Sequence, residues 1–190
     1  MLVIGITGTL GAGKGTIVDF LVKNKGFAHF SVRQFLLEEI KKRRLPENRD
    51  SMVIVANELR AKHTPSYITD KLYEQAVVTG KDAVIESIRT PGEVISLRKK
   101  SNFYLFAVDA YPKMRFERIK KRKSETDNID FSTFIENENR EMTSEDPNKQ
   151  NLKKCLEMAD FVIYNNGTIE ELNNQVERIL DLIYERTTER

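Results

Sequence analysis

The stretch Gly8-Thr9-Leu10-Gly11-Ala12-Gly13-Lys14-Gly15-Thr16 constrains this chain more than any other. It follows an apolar run at 2–6 and leads straight into a helical pattern, with Ile17, Val18, Leu21 and Val22 at three- and four-residue spacing. Side chains in such a turn would hold the backbone away from anything lying against it. Glycines at 8, 11 and 13 remove that barrier and let successive N–H groups point into one anion nest. Lys14 adds a positive charge, and the helix that follows presents its positive dipole end to the same place. A chain of phosphates is the ligand that matches this arrangement. The usual pattern is G-x-x-x-x-G-K-[ST]. Here Gly15 stands in the hydroxyl position and Thr16 comes one later, which makes Thr16 the candidate hydroxyl for a metal ion. A plain strand-to-helix turn needs one or two glycines and no lysine. A dinucleotide-binding turn would want G-x-G-x-x-G, which Gly8-Thr9-Leu10 does not fit.

Apolar runs at 2–6, 27–30, 83–85, 103–108 and 161–164 have strand length, and several are apolar on consecutive residues. That is the pattern of strands buried on both faces of a parallel sheet. Helical spacing fills the gaps, most clearly at Ile169, Leu172, Val176, Ile179, Leu180 and Ile183. Strand then helix, repeated, predicts a three-layer α/β/α fold around a five-stranded parallel sheet. Between the second and third strands, helices are expected at 32–43, 51–62 and 67–79, with Pro46 and Pro65 at the breaks. They form a helical insertion over about 32–80. The segment from 113 to 146 splits by charge, with seven Lys or Arg in 113–123 and eight Asp or Glu in 125–146. It reads either as a hinged flap over about 113–145 or as two solvated helix faces that partly neutralise each other.

At 190 residues the chain has the length of one domain. Its 31 Lys and Arg against 29 Asp and Glu argue against a nucleic-acid or membrane-surface binder, which usually carries a large basic excess. One cysteine, Cys155, cannot form an intramolecular disulfide, and Cys and His show no zinc-site spacing. The run at 2–6 is far shorter than the ~20 residues that span a bilayer. A reducing, cytoplasmic setting is the expectation. His29 and His63 have no telling neighbours in sequence, and Phe103-Tyr104-Leu105-Phe106 reads as core strand.

Gly13-Lys14-Gly15-Thr16 resembles the end of the phosphate loop in adenylate kinases and related nucleoside monophosphate kinases. Val84-Ile85-Glu86-Ser87-Ile88-Arg89-Thr90-Pro91 resembles their Asp-Gly-Phe-Pro-Arg stretch, with Glu in place of Asp. The resemblance implies that Glu86 helps to hold magnesium through water and that Arg89 grips the acceptor's phosphate. Residues 158–172 resemble the closing strand, turn and helix of dephospho-coenzyme A kinases, of P-loop kinase-like domains of archaeal proteins, and of such domains associated with deoxycytidylate deaminases. This places Asn166 and Gly167 beside the adenine, although Thr168 and Glu171 make the same stretch readable as a turn and capping box. Arg49, Ala56-Asn57-Glu58-Leu59-Arg60 and Arg89-Thr90-Pro91-Gly92-Glu93 are also similar to the deaminase-associated domains. A dephospho-coenzyme A kinase would carry an aspartate pair after the second strand. Here the stretch is His29-Phe30-Ser31-Val32-Arg33, so Ser31 and Arg33, with Arg60, fall on the acceptor side. Arg118, Arg122 and Arg140 are the candidates for closing over the transferring phosphate.

The resemblance implies a P-loop kinase that uses ATP and Mg2+ and acts on a small-molecule phosphate acceptor, a nucleoside or deoxynucleoside monophosphate. Lys14, Arg89, Arg118, Arg122 and Arg140 would be its catalytic cations. Two alternatives stay open: a kinase of dephospho-coenzyme A or another small molecule on the same fold, and a domain that senses ATP without transferring phosphate.

Overall fold

The computed structural model describes residues 1–100, 102–122 and 129–188. Strands β1 (Leu2–Gly8), β2 (Ala28–Ser31), β3 (Ala83–Glu86), β4 (Asn102–Asp109) and β5 (Phe161–Tyr164) form one sheet in the order β2-β3-β1-β4-β5. Every pairing is parallel. The central strand β1 is buried along its whole length, as its consecutive apolar residues require. Its register sets Ile6 opposite Glu86 of β3 and Gly8 opposite Val108 of β4, while Ser31 of β2 lies opposite Glu86 from the other side. The glycine loop and Glu86 therefore emerge side by side at the carboxyl edge of the sheet, where ligands of open α/β folds bind.

Helices α1 (Lys14–Lys25), α2 (Val32–Lys42), α3 (Arg49–Lys62), α4 (Tyr67–Thr79) and α5 (Pro91–Lys100) precede β4. Helices α6 (Pro112–Arg122), α7 (Phe131–Met142) and α8 (Leu152–Glu157) lie between β4 and β5, and α9 (Ile169–Thr188) ends the chain. Alternate strand residues divide the core. Val3, Ala83, Ile85, Phe103 and Leu105 pack against α2 to α5, and Cys155 of α8 is buried among them. Leu2, Ile4, Ile6, Val84, Phe106 and Val108 pack against α1 and α9. This is the expected three-layer α/β/α arrangement. The α3 helix starts two residues before the position that periodicity suggests, because Asn48 caps it by accepting from the Ser51 N–H at 2.9 Å.

The charge-split segment is not merely two solvated faces. Arg115 of α6 is 3% exposed and sends both terminal nitrogens to the carboxylate of Glu138 on α7, at 2.9 Å each. Phe116 packs edge-on against Phe131 and tilted against Phe134, joining the same two helices through apolar rings. Residues 123–128 of the expected flap lie outside the described residues. Among the described residues, no helix is long and apolar enough to cross a membrane.

Candidate functional site

Packing as well as ligand approach demands glycine in the loop between β1 and α1. Gly8 has φ +144°, and a Cβ there would sit 2.1 Å from the Val108 carbonyl oxygen. Gly13 has φ +103°, and its Cβ would meet Asn165 Nδ2 at 2.1 Å. Gly8, Thr9 and Ala12 form the underside of the loop: the buried Thr9 hydroxyl donates to Asp109 at 2.8 Å, and the Ala12 carbonyl accepts from Asn165 Nδ2 at 2.8 Å. Leu10, Gly11, Gly13, Lys14, Gly15 and Thr16 face a cavity of about 640 Å³. The Lys14 ammonium donates to the carbonyls of Gly8 at 2.8 Å and Thr9 at 2.7 Å. Burial, and then the nearby Arg89 charge, pull its pKa down to about 7 against the opposing pull of Glu86 and Glu141. Anionic oxygens placed against it would return the balance to the charged form.

Glu86 accepts from the Ser31 hydroxyl at 2.8 Å and lies 3.5 Å from His29 Nε2. Burial alone would raise its pKa, but the hydrogen bonds from His29 and Ser31 and the charges of His29 and Lys14 hold it below the usual carboxylate range. Glu86 and Thr16 line the same cavity. Among the described residues no three His, Cys, Asp or Glu gather as a self-sufficient metal site. Two oxygen-bearing side chains fit a magnesium ion that keeps its waters and shares phosphate oxygens, as that ion ordinarily does.

Ser87, next in the chain and also facing the cavity, has φ +69°. A non-glycine residue there stores roughly 1–2 kcal/mol of backbone strain. Ser87→Val is expected to lower stability by about that amount, since a β-branched residue suits this conformation worse still. Ser87→Gly is expected to be neutral or stabilising in urea denaturation, the relieved strain being partly offset by greater freedom in the unfolded chain. Equal stability of all three proteins would show that the conformation carries no strain.

Part of the cavity wall is apolar, built by Val32 and Leu36 of α2 and Met52, Val53 and Ala56 of α3. Arg33, Arg49, Arg60 and Arg89 line it as well. Arg49 and Arg89 both form ion pairs with Glu141 of α7. The Glu141 carboxyl is pushed up by burial, yet the charges of Arg89 and Arg49 leave it below its usual range. Arg60 is 2% exposed and donates to Glu93 at 2.9 Å, while its Nε and Nη1 have no partner among the described residues. Arg118 and Arg122 reach the cavity; Arg118 also donates to the Asn165 carbonyl at 2.8 Å.

Outside the phosphate loop, three expected residues lie elsewhere. Ser31 does not line the cavity, because its hydroxyl is engaged as the cap of α2 and as a donor to Glu86. Arg140 is exposed on the outer side of α7, 3.3 Å from Asp50, and does not line it either. The Asn166 side chain accepts from the Tyr111 N–H at 2.8 Å, outside the cavity, whereas Gly167 faces it. Thr168 and Glu171 do form the capping box, at 2.8 and 3.1 Å. Sequence reasoning passed over Asn165, which braces the loop, and Arg115, which donates to the Leu10 carbonyl at 3.2 Å. It also passed over Glu141 and gave Arg49 no role. Arg49 had a signal in its similarity to the deaminase-associated domains; the others had only an ordinary position beside a turn or in a charge run.

A parallel sheet in this order, with a glycine loop opening α1 and cations gathered round one cavity, defines a P-loop kinase-like protein. A family model described as an AAA domain matches residues 4–146. A UPF0200 protein of Methanocaldococcus jannaschii is 33% identical, with 96% of this chain and 91% of that protein covered. The chain belongs to that AAA domain family and to the UPF0200 proteins. Among solved structures, a shikimate kinase from Bacteroides thetaiotaomicron matches with a TM-score of 0.61 at 12% identity, covering 95% of this chain and 98% of that one. TT1252 from Thermus thermophilus matches with a TM-score of 0.58 at 20% identity, covering 95% and 96%. At these identities the likeness is one of fold.

Proposed function

We propose that the protein is an ATP- and magnesium-dependent phosphotransferase acting on a nucleoside or deoxynucleoside monophosphate. The observation that carries this reading is that one cavity brings the two kinds of surface together. The phosphate loop with Lys14, an apolar wall, and Arg33, Arg49 and Arg89 all line it, with Arg89 near enough for its charge to act on Lys14. A planar base suits the apolar wall and a phosphate suits the guanidiniums. In this reading Lys14 and the loop N–H groups hold the β- and γ-phosphates, Arg89 holds the acceptor, and Arg118 and Arg122 meet the charge that spreads during transfer. Magnesium, shared between Thr16, Glu86, water and phosphate oxygens, would supply further neutralisation. Residues 32–80 would form the acceptor-binding region and 113–145 the closing segment. The small, nearly balanced net charge of +2 supports a small-molecule acceptor over a nucleic acid.

A coupled assay of ADP release over a panel of nucleoside monophosphates, with dephospho-coenzyme A included, tests the reading. ADP release with at least one monophosphate is expected. Arg89→Ala should raise the KM for that acceptor about tenfold or more, with ATP affinity nearly unchanged. ADP release with dephospho-coenzyme A alone would move the acceptor class, and none with any acceptor would leave a nucleotide-binding domain without transfer.

A further inference from the structure

Glu141 projects from the last turn of α7 into the cavity, and its carboxylate is held between Arg49 of α3 and Arg89 of the loop after β3. Two guanidiniums converging on one buried anion are the arrangement that binds a phosphate group, which offers oxygens to both planar forks. The carboxylate is nearly buried, at 7% exposure, and Arg49 still has a buried Nε without a partner among the described residues. Arg49 is thus only partly satisfied by the carboxylate. Glu141 also comes from the segment between β4 and β5, not from the sheet that fixes the base of Arg89. The carboxylate and the two arginines therefore stand on three separate elements, so a shift of α7 alone would separate them.

We propose that Glu141 is a displaceable internal anion seated in a phosphomonoester clamp formed by Arg49 and Arg89. This rests on the reading that Arg89 faces the acceptor. A tethered carboxylate competes at an effective concentration in about the millimolar range without being consumed. Any incoming anion must first unseat it, so the apparent affinity of every anion is divided by the same factor, the reciprocal of the fraction of molecules with the clamp open. A lone carboxylate then gains little by exchanging one carboxylate for another. A phosphomonoester dianion, with three oxygens and greater charge, still binds measurably. Glu141 therefore sets a threshold that admits phosphomonoesters and keeps weaker anions out, and it couples acceptor arrival to movement of α7. One turn earlier on that helix, Glu138 holds Arg115, which reaches the Leu10 carbonyl of the phosphate loop.

Calorimetric titration with inorganic phosphate and with acetate, in the absence of ATP, reads the competition directly. Glu141→Gln is expected to tighten phosphate binding tenfold or more and to tighten acetate binding by the same factor. Backbone hydrogen exchange in the last turn of α7 of the wild type should rise several-fold when phosphate saturates the protein, which a purely structural ion pair would not produce. This second measurement stands alone if Glu141→Gln does not fold. Unchanged or slower exchange there, or phosphate binding no tighter in a folded Glu141→Gln protein, overturns the proposal. Neither readout involves transfer: a protein that releases ADP yet fails both tests loses only the Glu141 assignment, and one that passes both without releasing ADP keeps it.

Discussion

Lys14→Ala is expected to weaken ATP binding by a factor of roughly ten to one hundred while leaving the protein folded. The factor follows from losing one charge-assisted contact to phosphate, worth on the order of 1.5–3 kcal/mol. The fold should survive because, among the described residues, the hydrogen bonds of the Lys14 ammonium go to two loop carbonyls, those of Gly8 and Thr9. Its burial is costly enough to draw its pKa to about 7, so removing it takes away an unfavourable group along with two hydrogen bonds. Titration calorimetry with ATP measures the loss, and a thermal melt of the same sample checks the fold. Unchanged affinity in a folded variant would remove the phosphate-loop assignment. A collapse of the melt would instead mean that Lys14 ties the loop to the sheet more firmly than its contacts suggest.

The loop was legible because its chemistry is carried by neighbours in sequence: the glycines, the lysine and the start of the helix arrive in one run. The strands were legible for a related reason, since burial on both faces writes itself as consecutive apolar residues. The expected strand at 2–6 extends to Gly8, and that at 103–108 begins at Asn102 and ends at Asp109. The rest of the site depends on partners that no local pattern records. Asn165 braces a carbonyl 153 positions away, and Glu141 meets an arginine 92 positions away. Nothing in the local spacing of Arg140 and Arg115 says that one turns outward to Asp50 and the other inward to the loop. Only the packing of α6 on α7 decides it, through rings at 116, 131 and 134. Ser31 shows the same limit in reverse: a small polar residue after β2 suits an acceptor site, but helix capping and Glu86 claim its hydroxyl first.

Arg60 separates these two kinds of role most sharply. Its side chain and that of Glu93 are almost wholly buried, 1% and 0% exposed, and they form an ion pair at 2.9 Å. Arg60→Ala leaves the Glu93 carboxylate buried with, among the described residues, only the N–H groups of Arg89 and Thr90 to answer it. Removing one partner of such a pair costs about 3–5 kcal/mol. For a chain of this length that is a fall in Tm of roughly 6–20 °C. A rise in acceptor KM would not by itself identify Arg60 as a substrate contact, because Glu93 positions the Arg89 backbone and any disturbance there passes to Arg89. Stability decides between the two. The double variant Arg60→Met with Glu93→Gln removes both charges together, and it should recover more than half of the lost stability, since the penalty lies in the unpaired charge and not in the missing attraction. If Arg60→Ala melts within about 2 °C of the wild type, a difference worth no more than roughly 1 kcal/mol, the ion pair is not structural. Arg60, with two buried nitrogens unpartnered among the described residues, would then belong to the acceptor.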